Sequence, residues 1–273
     1  MLMDRYAVIG NPVAHSKSPQ IHAAFALATG EALVYERLLA PLDDFPGTLA
    51  AFRRQGGLGA NVTLPFKLEA YAAASEHSAR AVQAGAVNTL VWREDHWFGD
   101  NTDGVGLTRD LRQNLGCRVA DQRVLVLGAG GAARGILGPL LAAHPRMLVI
   151  SNRTVKKADE LAALFAEDGP VVSETARNLA GQSFDLVINA TSSSVGEDTH
   201  PLPWPAGLFA PGAFAYDLMY ATEPTRFLLW ADQQGAARWA DGLGMLVEQA
   251  AESFLLWRGV RPDTRAVLDG LRG

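Results

Sequence analysis

The chain has 273 residues, 48% of them hydrophobic and 19% charged, which is room for one large domain or two smaller ones. A net charge of −5 speaks against a general nucleic-acid binder, which needs a basic face, but not against small anionic ligands held by a few local donors. Cys117 is the single cysteine, so no intrachain disulfide can form; with no signal-type N-terminus and no run of about 18 apolar residues, the expectation is a cytoplasmic protein without membrane partners.

The first predicted element is the apolar strand "YAVIG" (Tyr6–Gly10). A helix follows in "SPQIHAAFALATG", with Ser18 as its N-cap, Pro19 in its first turn and Gly30 as its stop. "LVYERLLA" is a second strand, "LDDFPGTLAAFRRQG" a helix, "GANVTL" a third strand and "FKLEAYAAA" the start of another helix. "AGAVNTLVWREDHWFGDNTDG" reads as two short strands joined by a charged turn at Arg93–His96. The order up to about residue 100 predicts a largely parallel sheet covered by helices. A helical stretch from Asp103 to Leu115 leads onward.

"RVLVLGAGGAARGILGPLLAA" is a strand, a glycine turn and a helix; "MLVISNRTVKKADELAALFA" repeats strand and helix; "FDLVINATS" and "GAFAYDLMY" are further buried strands. "HPLPWPAGLFAPG" (His200–Gly212) reads as a surface loop, and three C-terminal helices close the chain. The fold class is therefore α/β with two domains and a cleft between them. Residues 1–103, joined by the C-terminal helices 241–273, form one, and residues 104–240 form a Rossmann-type unit.

Gly128-x-Gly130-x-x-Ala133 stands in the strand-turn-helix context of a dinucleotide site. The first glycine permits the turn, the second lets the backbone approach a pyrophosphate, and the helix N-terminus supplies free N–H groups. Gly128, Ala129, Gly130, Gly131 and Ala132 form the turn. The next strand ends in "NRTVKK", with no acid before Asp159, where an NAD site would place one on the ribose. Arg153 suits a 2′-phosphate through its planar fork, with Thr154 and Lys157 nearby. Basic residues are unfavourable at a helix N-terminus unless an anion is present. These residues predict NADP rather than NAD.

In "GANVTLPFK", alternation puts Asn61 and Thr63 on one face, and Pro65 turns the chain at the strand's carboxyl end. Lys67 is then either a solvated loop lysine or a group aimed into a cleft. Asp103 is either a helix N-cap or a carboxylate partner for it. Hydride transfer to a ketone leaves an alkoxide that must be protonated, and an ammonium can donate that proton and stabilise the charge. Ser16 and Ser18 stand close together in sequence, with little obvious positive charge nearby.

"GNPVAHSKSP", "GANVTLPFK", "AGAVNTL", "GDNTDG", "GAGGAARG", "NRT", "INATS", "YDLMY" and "DGLGMLVEQA" together resemble the shikimate dehydrogenase family, in the family's order and over nearly the whole chain. The resemblance implies NADP-dependent, reversible reduction of 3-dehydroshikimate to shikimate, a step of aromatic amino-acid biosynthesis. It implies that Ser16 and Ser18 bind the substrate carboxylate. Asn61, Thr63, Asn88 and Gln249 would surround the ring hydroxyls, with Tyr220 on the substrate side. Lys67 and Asp103 match the catalytic pair; Gly128 to Ala132 match the pyrophosphate turn and Asn152 to Lys157 the adenosine-phosphate site. Leu218 and Gly242 fall where the family lines the nicotinamide. One departure is visible: Ala79 stands where the family often has an acidic residue near the cofactor.

The rival readings are a quinate/shikimate dehydrogenase with broader substrate or cofactor use, a non-catalytic NADP-binding sensor, and a folate-linked methylene dehydrogenase. "NRTVKK" speaks against NAD, the Lys67 and Asp103 pair against a sensor, and the serine pair against a pterin. No metal-ligand spacing is found among the six histidines, and the expected assembly is a monomer or homodimer.

Overall fold

The computed structural model describes residues 3–191 and 202–272. They form two compact units. One runs up to Gly106 and resumes at Leu246; the other is the continuous stretch Leu107–Met245.

The first unit opens with β1 (Asp4–Gly10), α1 (Ser18–Thr29), β2 (Leu33–Leu39), α2 (Phe45–Arg54), β3 (Gly57–Val62) and α3 (Lys67–Ala73). It continues with β4 (Glu76–His77), α4 (Ala79–Ala84), β5 (Thr89–Arg93) and β6 (His96–Asp100). The strands form one six-stranded sheet in the order β2-β1-β3-β5-β6-β4. Only β5 runs against its neighbours, pairing antiparallel with β3 and β6. The β5–β6 hairpin turns on Glu94 and Asp95, both at positive φ. One face of the sheet packs Ala7, Ile9, Val62 and Leu90 on Phe45, Phe52 and Phe66. On the other, Tyr6 stacks on Trp257, whose indole Nε1–H donates to the Leu90 carbonyl at 3.0 Å. Gly59 makes room for that indole, because a Cβ there would lie 2.5 Å from Trp257 Nε1.

Helix α5 (Asp103–Arg109) runs into a π-helical turn, Asp110–Asn114. The second unit then builds β7 (Arg123–Leu127), α6 (Gly131–Ala142), β8 (Met147–Ser151), α7 (Val155–Leu164), β9 (Val171–Ser173), β10 (Phe184–Asn189), β11 (Phe209–Asp217), α8 (Arg226–Gln233) and β12 (Arg238–Ala240). Its six strands are all parallel, in the order β12-β11-β10-β7-β8-β9. That is the doubly wound arrangement, and its crevice lies between β7 and β10, where the winding reverses. Strands buried on both faces read as continuous apolar runs: Val124 and Val126 pack into one core, Leu125 and Leu127 into the other. Helices α9 (Leu243–Arg258) and α10 (Arg265–Arg272) end the chain. Both passages between the units, Gly106 to Leu107 and Met245 to Leu246, lie inside helices, α5 and α9.

Several local readings change. Ser18 is the first residue of α1 rather than its cap; Lys17 holds the cap position with no capping hydrogen bond from its side chain, and the Ser18 amide donates to Ser16 Oγ at 3.3 Å. Strand β3 stops at Val62, because the Thr63 carbonyl accepts from Phe66 N in a turn. The expected alternation therefore fails at Leu64, which is 46% exposed. Of the predicted loop at His200–Gly212, residues 200 and 201 lie outside the described residues; Leu208 is buried, and Phe209 already begins β11. The unit boundaries fall at Gly106 and Leu246, a few residues beyond the expected 103 and 240.

Candidate active site

In the first unit the chain ends of β3, β5 and β6 deliver polar groups to one place. Lys67 begins α3, where a cation meets the positive end of the helix and needs an anionic partner. It has one: Nζ donates to Asp103 Oδ2 at 2.5 Å. The lysine and aspartate side chains are 11% and 7% exposed, so this pair is far drier than a surface ion pair. The other carboxylate oxygen, Oδ1, accepts from Asn88 Nδ2 at 2.7 Å. Asn88 cannot flip, because its Oδ1 accepts from the Thr102 main-chain N–H at 2.8 Å. Gln249, on α9, brings its Oε1 to 3.2 Å from Thr102 Oγ1 and 3.4 Å from Asn88 Nδ2. Lys67, Asn88, Asp103 and Gln249 are thus brought together.

The turn carrying Asp103 is clamped from below. Arg80 grips the Asp100 carboxylate with Nε and Nη2, both at 2.7 Å, and Ser78 and the Asn101 amide also donate to it. Burial alone would raise the Asp100 carboxyl, but the hydrogen bonds and charge of Arg80 outweigh it and hold it below its usual range. Ala79, beside this clamp, is the first residue of α4, and Ser78 caps that helix.

Ser16 and Ser18 stand at the start of α1, with their hydroxyls 3.1 Å apart. Positive charge does stand nearby: Arg37, from β2, donates Nε and Nη2 to the Ser16 carbonyl at 3.0 and 2.5 Å. Thr63 follows β3, and Gly10 lets it approach β1, since a Cβ there would lie 2.3 Å from Thr63 Cγ2. Asn61 differs from expectation. It is buried, and its amide is already spoken for: Oδ1 accepts from Tyr35 at 2.7 Å and from His22 at 3.2 Å, and Nδ2 donates to Ser253 at 2.9 Å and Thr89 at 3.2 Å. Burial pushes the His22 imidazole down to about 3, so the ring is neutral. His22, Thr89, Thr102 and Ser253 were missed in the sequence; the only signal was the position of His22 one helical turn after Ser18.

In the second unit Gly128 takes φ +113, and a Cβ there would lie 2.9 Å from the Ala190 carbonyl group, across the crevice from β7 to β10. Gly130 precedes α6 in extended backbone, with open space where its Cβ would be. No side chain caps α6, so the first-turn amides of Gly131 and Ala132 keep their donors for an anion. Ala129 and Ala133 turn inward and are buried. At the end of β8, Asn152 Nδ2 donates to the Thr154 carbonyl at 2.9 Å, and Thr154 precedes α7 without capping it. Arg153 and Lys157 are exposed and make no ion pair or side-chain hydrogen bond among the described residues, whereas Lys156 pairs with Glu160. An uncapped helix, a glycine cradle and unpaired cations fit a phosphorylated dinucleotide. Leu218 and Gly242 meet closely: a Cβ on Gly242 would lie 2.2 Å from the Leu218 carbonyl oxygen. Buried Asp217 holds that turn by accepting from Asn189, Met219 N and Thr225. Tyr220 is half-buried just beyond. Among the described residues no cluster could hold a metal ion, and no helix is long and apolar enough to cross a membrane.

The shikimate dehydrogenase substrate binding domain matches residues 8–90, the shikimate/quinate 5-dehydrogenase domain residues 110–196, and the shikimate 5′-dehydrogenase C-terminal domain residues 242–272. A shikimate dehydrogenase (NADP(+)) of Nitrosospira multiformis is 60% identical over 271 residues, 99% of this chain and 98% of that protein. The crystal structure of an Ael1 enzyme from Pseudomonas putida is 49% identical over 98% of both chains, with a TM-score of 0.87. Shikimate 5-dehydrogenase from Thermus thermophilus, solved in complex with NADP(H) and shikimate, is 37% identical over 99% of both chains, also with a TM-score of 0.87. The chain belongs to the shikimate dehydrogenase family.

Proposed function

We propose that this chain catalyses the reversible, NADPH-dependent reduction of 3-dehydroshikimate to shikimate, with Lys67 and Asp103 as the catalytic pair. The dry contact between Lys67 Nζ and Asp103 Oδ2, with Asn88 on the second carboxylate oxygen, carries the reading. Bound NADPH supplies the hydride. Lys67, as an ammonium, donates a proton to the oxygen of the reduced carbonyl and stabilises the charge developing there. Asp103 holds the ammonium in place and accepts from a neighbouring ring hydroxyl. In the oxidative direction the same pair removes the hydroxyl proton.

Ser16 and Ser18 hold the substrate carboxylate, supported by Arg37 behind the Ser16 carbonyl. Thr63, Asn88 and Gln249 meet the ring hydroxyls, Asn61 supports them from beneath, and Tyr220 is the substrate-side tyrosine. Gly128, Ala129, Gly130, Gly131 and Ala132 would hold the pyrophosphate. Asn152, Arg153, Thr154 and Lys157 would hold the 2′-phosphate, and Leu218 and Gly242 would line the nicotinamide. The unit that runs up to Gly106 and resumes at Leu246 would serve as the substrate domain, and Leu107–Met245 as the NADP domain. The enzyme works in the cytoplasm, as a monomer or homodimer.

The test is a matrix of shikimate and quinate against NADP and NAD, followed by absorbance at 340 nm. Turnover of shikimate with NADP well above the other combinations is expected. No turnover, with tight NADPH binding retained, would replace the enzyme by a binding protein.

A further inference from the structure

Beneath the Lys67–Asp103 pair runs a chain of buried polar side chains that the proposed chemistry does not use directly. His22, Asn61, Thr89 and Asn88 are each at most 5% exposed. The direction of each amide is set independently. Asn61 Nδ2 lies 3.4 Å from the Asn88 main-chain carbonyl, which can only accept, so Asn61 turns Oδ1 to His22 and Tyr35, and both must donate. His22 therefore carries its proton on Nε2. Asn88 turns Oδ1 to the Thr102 amide and Nδ2 to Asp103. Between the two amides stands Thr89, whose Oγ1 is 3.2 Å from Asn61 Nδ2 and 2.9 Å from Asn88 Oδ1. The first can only donate and the second only accept.

We propose that His22 and Thr89 are positioning residues of the reaction: a one-way chain of donors, His22 to Asn61 to Thr89 to Asn88, ends on Asp103 Oδ1 and holds that carboxylate in register with Lys67. Every proton in the chain points toward the anion, so each bond polarises the next, as hydrogen-bond chains in dry surroundings do. Ser253, with its Oγ 2.8 Å from Thr89, offers a competing acceptor, but that branch leads to the Gln249 main-chain carbonyl and not to the carboxylate. The histidine also carries a cost that its packing does not require. Its ring stacks on Tyr35, as a phenylalanine could, yet Nδ1 is buried without a hydrogen-bond partner. The Nε2 contact is what offsets that cost.

The inference rests on the proposed dehydrogenase reaction, so the experiment begins with the full-length wild-type chain, shikimate and NADP+. Absence of turnover there sinks the reading and this inference together. With turnover established, Thr89→Val replaces the hydroxyl by a methyl of nearly equal size. The expected result is a fall in kcat of about tenfold with the shikimate KM nearly unchanged, and recovery in Thr89→Ser. Wild-type kcat in Thr89→Val, or a serine variant as slow as the valine one, would overturn the proposal in favour of simple packing. If Thr89→Val does not fold, the decision passes to His22→Phe and His22→Gln. The first should lose kcat at unchanged KM, and the second, whose Nε2 can reach the same acceptor, should regain it. A His22→Phe enzyme that loses melting temperature but keeps kcat would refute the positioning role.

Discussion

The two polar regions of this protein solve opposite problems. Around Asp103, nearly every donor already has an acceptor inside the protein: Lys67, Asn88, Thr102, Gln249 and Asn61 hold one another at fixed directions. Around Gly128 and Arg153 the groups stand open, with an uncapped helix, exposed cations and glycines whose side-chain space is empty or taken by backbone. A catalytic group must sit at its working angle before substrate arrives, and a closed network does that. A site that only grips an anion gains most when its charges are unpaired until the ligand comes.

If that contrast is sound, Lys67→Ala should be the most damaging single change. A fall in kcat of roughly a thousandfold is expected, with a much smaller change in the shikimate KM. An intact kcat with weakened binding would make Lys67 a mere ligand contact. Arg80→Met strikes the frame rather than the chemistry. It strands the Asp100 carboxylate, whose side chain is 3% exposed, and should destabilise the protein by about 3 kcal/mol in denaturant titrations. A neutral outcome would mean the clamp is decoration.

On the open side, Arg153→Asp should raise the NADP KM by about tenfold or more and spare NAD, with little change in melting temperature, because no internal bond is lost. A stability loss equal to that of Arg80→Met would erase the difference between the regions. Ser16→Ala should raise the shikimate KM several-fold while kcat holds; a purely catalytic defect would move Ser16 into the other class.

A further effect is one of pH. The folded protein holds His22 near 3 against an ordinary 6.5, so it takes up a proton less readily than the unfolded chain does. The resulting stability is complete above about 6.5 and drains away as pH falls from there toward about 3. His22→Gln should flatten that part of a melting-temperature-against-pH curve; an unchanged slope would show that other groups govern it.

What could be read from the residues follows the same divide. The glycine turn is local: a strand, three small residues and a helix within one short stretch suffice to locate it, and so do the cations after β8. Lys67 and Asp103 were legible as a pair only through the resemblance of several blocks, since each alone reads equally as a surface lysine or a helix cap. Thr89, Thr102 and Ser253 left no trace, because their role depends on pairings such as Asn61 with Ser253, 192 residues apart. Likewise β4, β9 and β12, of two or three residues each, are too short to show a period; they exist because a neighbouring strand presents its edge. Strand β3 ends at Val62, two residues short of Leu64, although Thr63 has the right alternation; only the hydrogen bond from Phe66 N to the Thr63 carbonyl shows that the ladder has ended.

The chain passes through its first unit twice, and this sets an order of events during synthesis. Residues 107–245 are contiguous and can fold as soon as they leave the ribosome. The unit begun first must wait: its sheet lacks Trp257, and its polar chain lacks Gln249 and Ser253, until the last part of α9 has been made. A nascent chain stalled before residue 246 would therefore carry a finished second unit and an unfinished first one. The polar network of the first unit closes only once α9 has been made.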